Sequence, residues 1–576
     1  MLLRILFVAA LAVVLLDPQI AFAQEPAKVP TAVGRGGAAS TVDAYGTRAA
    51  IRTLRRGGNA VDAAVAAAAV LGVTEPYSCG IGGGGFMVIR RPDGEVVTID
   101  SREESPAAMK PDSFFEGGAP PDLPEDFDAA RYSGLSAGVP GTVAGWDRAL
   151  RRYGSWSLKR ALRAGARVAR RGFVVDATFA AQTTPNVPYF DDIPSTAELY
   201  LDPDGTPRDV GATLRNGDLA RTYKLIGEDG TRAFYRGKLA KAIVDAARRP
   251  PVAPGADHDW RPGLLRKADL KAYRALNRDP TRVLYRGLEV WGMGPPSSGG
   301  STLGEALNIL EGYADLAADR TRALHLFLEA SRFAYADRST YLADPEFVEI
   351  PLNGLLSDGY AAERRALIDP AKAATSPVAP GDPRPFSSTT HLVVSDREGT
   401  VVSYTFTIES TGGNGIVVPG YGFLLNNELT DFDIDSVTHP NRADANKRPR
   451  SSMAPTIITQ DDKPFIAIGS PGGSMIITSV LQVLLERLDL GTPLPEAIAR
   501  PRATQRNTPS TTAEPGFISS PEGQALATRY GHTFTPMTDI GAVTALKFGP
   551  RRRVLAAAEP TRRGGGSAAV VRPSGP

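Results

Sequence analysis

The chain has 576 residues, of which 65 are basic and 63 acidic, so its formal net charge is only +2. Such a small imbalance gives no electrostatic reason to expect nucleic acid as a partner. The hydrophobic fraction of 42% and the charged fraction of 22% are ordinary for a globular protein, and the length allows a large buried core.

The first residues predict a secretory signal peptide. A single arginine, Arg4, precedes an apolar run over 5–16, and residues 21–23 form an A-x-A cleavage site before Gln24. The apolar run is too short to span a bilayer comfortably. We therefore expect removal of residues 1–23 and export of the mature protein, to the periplasm or the medium, with no membrane association afterwards.

Helical patterns dominate the first half of the chain. Residues 42–73 predict two helical segments separated at Gly57-Gly58, and the second segment lacks a polar face, which is typical of a buried helix. A hairpin of short strands at 86–89 and 96–99 follows. Further helical segments are predicted at 146–169, 219–226 and 239–247, with two more within 302–341.

The predicted secondary structure changes from mainly helical to strand-rich after residues 369–385. This stretch is rich in proline, alanine, serine and glycine, which predicts a mobile linker. Strands and helices in the order found here predict a layered α/β fold. The elements predicted beyond the linker are strands at 390–394, 401–408, 456–458 and 465–468, and a buried helix at 476–488.

Two glycine-rich motifs formally match known site patterns. The run 80–85 matches the dinucleotide fingerprint G-x-G-x-x-G, but that fingerprint needs a strand before it and a helix after it, and here the order is reversed. The segment 134–138 matches the nucleophile elbow G-x-S-x-G, but Pro140-Gly141 disrupts the helix that must follow. Both segments are interpreted as structural turns.

Cysteine and histidine offer no clear site. The single cysteine, Cys79, cannot form an internal disulfide and is interpreted as a small buried side chain. The five histidines are scattered and form no recognisable zinc motif, so no metal site is predicted. His391 lies in a predicted strand, where a hydrogen-bonded structural histidine is expected.

Thr389 lies where the proline-rich stretch meets the first strand of the second half. If the bond between Ser388 and Thr389 breaks, Thr389 gains a free α-amine, whose pKa in model compounds is about 7.7 to 8.0. Such an amine can accept the proton of its own hydroxyl at neutral pH and replace a catalytic histidine. On composition alone this is one of many interpretations, because a Thr-Thr pair in a strand is usually an ordinary part of that strand.

Several sequence blocks add to this observation. They are GGNAVDAA at 57–64, GGGGFM at 82–87, DSRE at 100–103, GVPGT at 138–142, PPSSGG at 295–300, TTHLVV at 389–394, LNNE at 425–428, RSSMAPT at 450–456 and GSPGGS at 469–474. In this order, and over nearly the whole mature chain, they closely resemble the γ-glutamyltranspeptidase (glutathione hydrolase) family.

The resemblance implies an α/β fold, the αββα sandwich of the N-terminal-nucleophile (Ntn) hydrolases. It also implies self-cleavage between Ser388 and Thr389, which gives a large subunit, 24–388, and a small subunit, 389–576, that form one core. Small-molecule γ-glutamyl substrates such as glutathione are the implied partners. The family's reaction needs neither a metal nor an organic cofactor.

The resemblance also assigns roles to individual residues. Thr389 matches the nucleophile and Thr407 the threonine that supports it. Gly472 and Gly473 match the backbone donors of the oxyanion hole, where small residues allow the substrate oxygen to approach the N–H groups. Five further residues match those that bind the glutamyl head group in the family: Arg102, Ser451 and Ser452 on the carboxylate side, and Glu428 and Asp431 on the ammonium side.

One substrate-side position departs from the family pattern. Glu409 stands where many members carry asparagine, and its carboxylate could bind an ammonium group but would repel a nearby carboxylate. The donor preference is therefore open. One alternative is a related acylase that acts on glutaryl, cephalosporin or poly-γ-glutamate substrates, and another is a catalytically inactive binding protein of the same fold.

Overall fold

A computed structural model describes residues 26–115, 127–379 and 389–574. The predicted signal peptide, 1–23, and Ser388 lie outside the described residues. The described strands are β1 (Thr31–Thr41), β2 (Gly84–Arg90), β3 (Val96–Asp100), β4 (Phe173–Val174), β5 (Thr213–Leu214), β6 (Thr281–Tyr285), β7 (Leu288–Gly292), β8 (Thr390–Asp396), β9 (Val401–Thr407), β10 (Thr456–Gln460), β11 (Lys463–Gly469), β12 (Ala503–Thr504), β13 (Thr511–Ala513), β14 (Phe534–Pro536), β15 (Thr544–Gly549), β16 (Arg553–Ala558) and β17 (Ser567–Pro573).

The described helices are interspersed with these strands along the chain. They are α1 (Ala44–Arg55), α2 (Ala60–Thr74), α3 (Phe127–Arg131), α4 (Thr142–Tyr153), α5 (Leu158–Arg171), α6 (Ala177–Thr183), α7 (Val187–Phe190), α8 (Pro194–Tyr200), α9 (Gly217–Asp229), α10 (Thr231–Arg236), α11 (Lys238–Arg248), α12 (Lys267–Ala272), α13 (Gly299–Glu311), α14 (Arg320–Tyr341), α15 (Leu352–Leu355), α16 (Asp358–Ala366), α17 (Ile476–Leu488), α18 (Leu494–Ala499), α19 (Pro515–Ile518) and α20 (Pro521–Tyr530).

Twelve strands form one antiparallel sheet in the order β3-β2-β9-β8-β1-β16-β15-β11-β10-β7-β6, and β17 also pairs with β1. The sheet folds over on itself, because β9 lies against β11 and β8 lies against β15. Strands from before and after Thr389 alternate in this sheet: β8 pairs with β9 on one side and with β1 on the other. The two halves of the chain therefore build one core.

Alternating residues of each central strand face different hydrophobic clusters. In β8, Leu392 and Val394 pack into the cluster that includes α1, α2, α4 and α5, whereas Val393 packs into the cluster that includes α13, α14 and α17. Period-two alternation of apolar side chains is what a strand buried on both faces requires. With helices outside both halves of the folded sheet, the architecture is an αββα sandwich, as predicted.

Most elements that the sequence predicts are confirmed. The two-part helical segment is α1 and α2, all residues of α2 are buried, and the hairpin is β2 and β3. In every described helix, length or polarity rules out a bilayer span.

The prediction of a mobile linker is wrong for residues 369–379, which are bound to the core. Asn507 Nδ2 donates to the Val378 carbonyl at 2.9 Å, and its Oδ1 accepts from the Val378 N–H at 2.8 Å. His325 contacts the Asp369 carbonyl at 2.9 Å, and Glu329 accepts from the Ala374 N–H at 3.1 Å. The rest of the predicted linker, 380–385, lies outside the described residues.

Candidate active site

Thr389 immediately precedes β8 and is only 1% exposed. Thr390 pairs with Phe406 in the β8–β9 ladder, so the same register continued by one residue brings Thr389 opposite Thr407. The Thr389 carbonyl accepts a hydrogen bond from Arg563 Nη1 at 2.7 Å, and Arg563 Nη2 donates to Ser78 Oγ at 2.6 Å. A partly exposed guanidinium thus holds the backbone at the predicted cleavage point.

Glu409 links Thr407 to the predicted substrate pocket. Thr407 Oγ1 accepts from the Glu409 N–H at 2.8 Å, and Glu409 has a left-handed backbone with φ of 77°. The Glu409 carboxyl group accepts hydrogen bonds from Ser410 Oγ and Asn427 Nδ2. Burial, and to a lesser degree the charge of Asp431, raise the pKa of Glu409 to about 8. At neutral pH the carboxyl group is therefore mostly protonated.

Arg102, Glu428 and Asp431 form a buried charged cluster. Arg102 donates through Nη1 to Glu428 and through Nη2 to Asp431 Oδ2 at 2.5 Å. Its Nε donates to the Pro449 carbonyl at 3.1 Å and its Nη2 also donates to the Arg450 carbonyl at 3.0 Å, which fixes the guanidinium plane. Arg102 and Glu428 are inaccessible to solvent, whereas the Asp431 side chain is 29% exposed and marks the open side of the cluster.

Ser451 and Ser452 lie next to this cluster. The Ser451 carbonyl accepts from the Ser298 N–H at 2.7 Å and from Ser298 Oγ at 2.5 Å, which holds the segment in place. Ser452 Oγ accepts from Arg338 Nη2 at 2.7 Å. Both serine side chains are largely buried.

Gly472 and Gly473 form a sharp turn after β11. Their φ angles are 130° and 57°, a region that residues with a side chain rarely adopt, and a Cβ on Gly472 would lie 3.1 Å from Gly541 Cα. Among the described residues, neither N–H has a hydrogen-bond acceptor in the protein. Two N–H groups without a protein partner are what an oxyanion hole requires.

Sequence reasoning missed three residues around this site: Glu103, Arg338 and Arg563. Arg338 and Arg563 lie far from the motifs they contact, so only the fold reveals them. Glu103 is part of a block that resembled the family, but it received no role. It is fully buried, neither carboxyl oxygen has a hydrogen-bond partner in the described part of the chain, and burial raises its pKa to about 8.

The residues for which the sequence predicts a structural role have such a role in the fold. His391 Nδ1 contacts Thr405 Oγ1 at 2.7 Å, and burial lowers its pKa to about 3. Cys79 is buried. Ser136, the serine of the apparent nucleophile elbow, donates to the Arg131 carbonyl at 2.7 Å, and a helix rather than a strand precedes it.

One group of potential metal ligands forms no recognisable sequence motif. His325, Glu329 and His532 bring ligand atoms within 4.8 Å of one another, and all three are buried. Glu329 already accepts two hydrogen bonds from Arg332 and one from the Ala374 N–H, and the two imidazoles contact each other at 2.9 Å. These contacts hold the segment that starts at residue 369 and leave Glu329 engaged.

Cavities of about 610 and 660 Å³ open on the outer helices, and arginines line much of both. Neither contains Thr389 or any predicted substrate-binding residue. Cavity size therefore does not locate this site, whereas its buried charges do.

Comparison with known proteins agrees with this geometry. The sequence model described as Gamma-glutamyltranspeptidase matches residues 46–569. The glutathione hydrolase proenzyme of Bacillus subtilis (strain 168) is 38% identical, with 94% of each chain covered. That of Escherichia coli (strain K12) is 36% identical, with 91% of this chain and 90% of the relative covered.

A solved structure extends the likeness to the whole fold. The cephalosporin acylase of Bacillus halodurans is 29% identical, with a TM-score of 0.82 and coverage of 97% of this chain and 99% of that one. The αββα sandwich is thus of the Ntn-hydrolase type. From its sequence and its structure, the chain belongs to the γ-glutamyltranspeptidase family.

Proposed function

We propose that the chain is a γ-glutamyltransferase and glutathione hydrolase that cleaves itself between Ser388 and Thr389 and then uses Thr389 as its nucleophile. The observation that carries the proposal is the buried cluster of Arg102, Glu428 and Asp431 beside the serine pair.

This cluster is complementary to a zwitterion. Without a ligand, the guanidinium of Arg102 is neutralised by Glu428 and Asp431. A glutamyl head group carries one carboxylate and one ammonium, so it can take over both sides: Arg102 and the serines bind the carboxylate, while Glu428 and Asp431 bind the ammonium. Each buried charge keeps a partner throughout, which avoids the large penalty of an unpaired buried charge. A planar guanidinium can bind a carboxylate through two hydrogen bonds.

Thr389 then attacks the γ-carbonyl carbon. Its hydroxyl proton passes to its own α-amine, and the carbonyl oxygen becomes an oxyanion bound by the N–H groups of Gly472 and Gly473. The amine returns the proton to the leaving nitrogen, so that glutathione would release cysteinylglycine. Water or an amino acid then attacks the γ-glutamyl ester and frees Thr389. Thr407, opposite Thr389 in the sheet register, supports the nucleophile.

The proposed boundaries are a signal peptide over 1–23, a large subunit over 24–388 and a small subunit over 389–576. An exported enzyme would meet extracellular or periplasmic glutathione. The shared sheet supports continued association of the subunits after cleavage, because β8 would stay paired with β1 of the large subunit. The proposed chemistry needs no cofactor.

An acylase of the same fold is the second candidate. The likeness to the cephalosporin acylase favours it, and Glu409, which stands where many family members carry asparagine, leaves the donor preference open. The ammonium-binding side of the cluster argues for glutamyl over glutaryl, because a glutaryl group has no ammonium to offer Glu428 and Asp431.

Hydrolysis of γ-glutamyl and glutaryl anilides by the purified, processed protein separates the two candidates. We expect the γ-glutamyl compound to have the higher kcat/KM. A preference for the glutaryl compound would support the acylase. Activity on neither, in a fully processed protein, would support the inactive binding protein.

A further inference from the structure

Arg338 lies near the end of α14, away from every motif that resembled the family, yet it contacts the serine pair. Its Nε donates to Ser298 Oγ at 2.8 Å and its Nη2 donates to Ser452 Oγ at 2.7 Å. Ser298 in turn donates to the Ser451 carbonyl. One buried guanidinium thus supports the segment 451–452 at two points.

Arg338 differs from the other buried arginines around the site, because it forms no ion pair with a carboxylate in the described part of the chain. Asp431 and Asp433 act on its charge only from beyond ion-pair distance. Burial together with the cation of Arg450 outweighs them and lowers the pKa of Arg338 to about 10. A buried charge without a counter-charge is unfavourable unless a ligand supplies one. The three other buried arginines around the site all have carboxylates: Arg102 has Glu428 and Asp431, Arg448 has Asp100 at 2.7 Å, and Arg450 has Asp433 at 3.2 Å.

The hydrogen bond from Arg338 also sets the direction of the Ser452 hydroxyl. A guanidinium only donates, so Ser452 Oγ must accept, and the hydroxyl hydrogen is left to point elsewhere. A hydroxyl that accepts from a cation is a stronger donor to an anion on its other side.

We propose that Arg338 is a positioning residue for the α-carboxylate of the donor: it orients the Ser452 hydroxyl toward that carboxylate and supplies a second positive charge behind it. The inference rests on the proposed function and adds a specificity-determining residue to it. Arg102 contacts the carboxylate directly, whereas Arg338 acts through Ser452. Arg102 and Arg338 together therefore give the enzyme a stronger preference for donors with an α-carboxylate than Arg102 alone would give.

The test compares two substrates in two enzymes. γ-Glutamyl p-nitroanilide carries the α-carboxylate, and 4-aminobutyryl p-nitroanilide is the same molecule without it. In Arg338→Gln we expect kcat/KM for the γ-glutamyl compound to fall about 10- to 100-fold, the range for a hydrogen bond to a charged group. The loss should appear mainly in KM, and the change for the 4-aminobutyryl compound should stay within about threefold.

A purely structural role predicts a different pattern, since a distorted site would lose both substrates equally. Arg332→Gln is the matched control, because Arg332 is a buried arginine of the same helix that pairs with Glu329 instead. It should affect both substrates alike. Arg338→Lys keeps the charge but has a single donor nitrogen in place of the guanidinium fork, so it should recover part of the loss; it replaces Arg338→Gln if that variant does not fold.

Equal losses on both substrates, or no loss on either, would overturn the inference. A different result would refute the proposed function. In that case the wild-type protein would not hydrolyse the γ-glutamyl compound, or would show no preference for it. A wild-type enzyme that prefers the γ-glutamyl compound, with a variant that loses both substrates equally, would reject only the role of Arg338.

Discussion

Replacing Glu409 by glutamine should make the stability of the protein less dependent on pH. The pKa of Glu409 rises from an ordinary 4.5 to about 8, chiefly because the carboxyl group is buried and secondly because Asp431 is negative. In the folded chain it is therefore protonated across a range in which the unfolded chain would be ionised. Glutamine keeps the size and the carbonyl acceptor for Ser410 and Asn427, and it has no proton to lose.

Proton linkage gives the direction in which the free energy of unfolding changes with pH. Between pH 4.5 and 8 the folded state binds more protons than the unfolded state, so the free energy of unfolding falls as the pH rises. The contribution of Glu409 is complete below pH 4.5, is lost progressively as the pH rises toward 8, and is absent above that value. One pKa unit corresponds to about 1.4 kcal/mol, so a shift from 4.5 to about 8 amounts to at most about 5 kcal/mol.

Urea unfolding at pH 5 to 9, monitored by tryptophan fluorescence, measures this difference. Both proteins are best compared in the Thr389→Ala background, which we expect to remain one chain. The advantage of Glu409→Gln over the parent should grow by up to about 1.4 kcal/mol per pH unit until pH 8 and then level off. Glu398→Gln, on a half-exposed turn residue, is the control and should show no such growth. A stability difference that stays constant over this range would refute the reasoning.

Three further substitutions test other contacts. Arg102→Gln leaves Glu428 buried without its cation, so we expect the free energy of unfolding to fall by about 3–5 kcal/mol and kcat/KM for γ-glutamyl p-nitroanilide to collapse; intact stability in urea would contradict the pairing. Gly469→Ala places a Cβ 2.3 Å from the His391 ring and should destabilise by about 1–3 kcal/mol, whereas Gly359→Ala, which meets nothing within 4 Å, should not. Gly472→Ala keeps the N–H but strains the backbone at φ of 130°, which should displace this donor. Stopped-time assays should show kcat lowered by up to about 10²-fold, the cost of losing one oxyanion donor, with KM little changed, whereas an unaltered kcat would argue against the oxyanion hole.

The helical and hairpin parts of the fold were predictable because their signals are local. Helix α2 is a run of alanine, valine and leucine with no polar face, and it is buried throughout. Strand β1 was missed although it pairs with β8, β16 and β17, because its sequence, TAVGRGGAAST, has three glycines and few β-branched residues. Its conformation is imposed by its neighbours in the sheet, and those lie hundreds of residues away.

For the candidate site too, local sequence signals could be recognised, whereas contacts between distant residues could not. Residue types in recognisable blocks, such as Arg102 and Thr389, could be singled out from the sequence. Their pairing could not, since Arg102 and Glu428 are 326 positions apart and meet only in the folded chain. Arg338 and Arg563 have no local signal, because an arginine in a helix or a turn is more often a solvated surface residue.

Cleavage ahead of Thr389 is the central claim, and denaturing electrophoresis with N-terminal sequencing tests it most directly. The purified wild-type protein should give two fragments, the smaller of which begins with Thr389-Thr390-His391. The Thr389→Ala variant should remain a single chain of about 61 kDa, less any signal peptide removed, and should be inactive. A fully active preparation that contains only the intact chain, or a Thr389→Ala variant that still yields both fragments, would contradict the account.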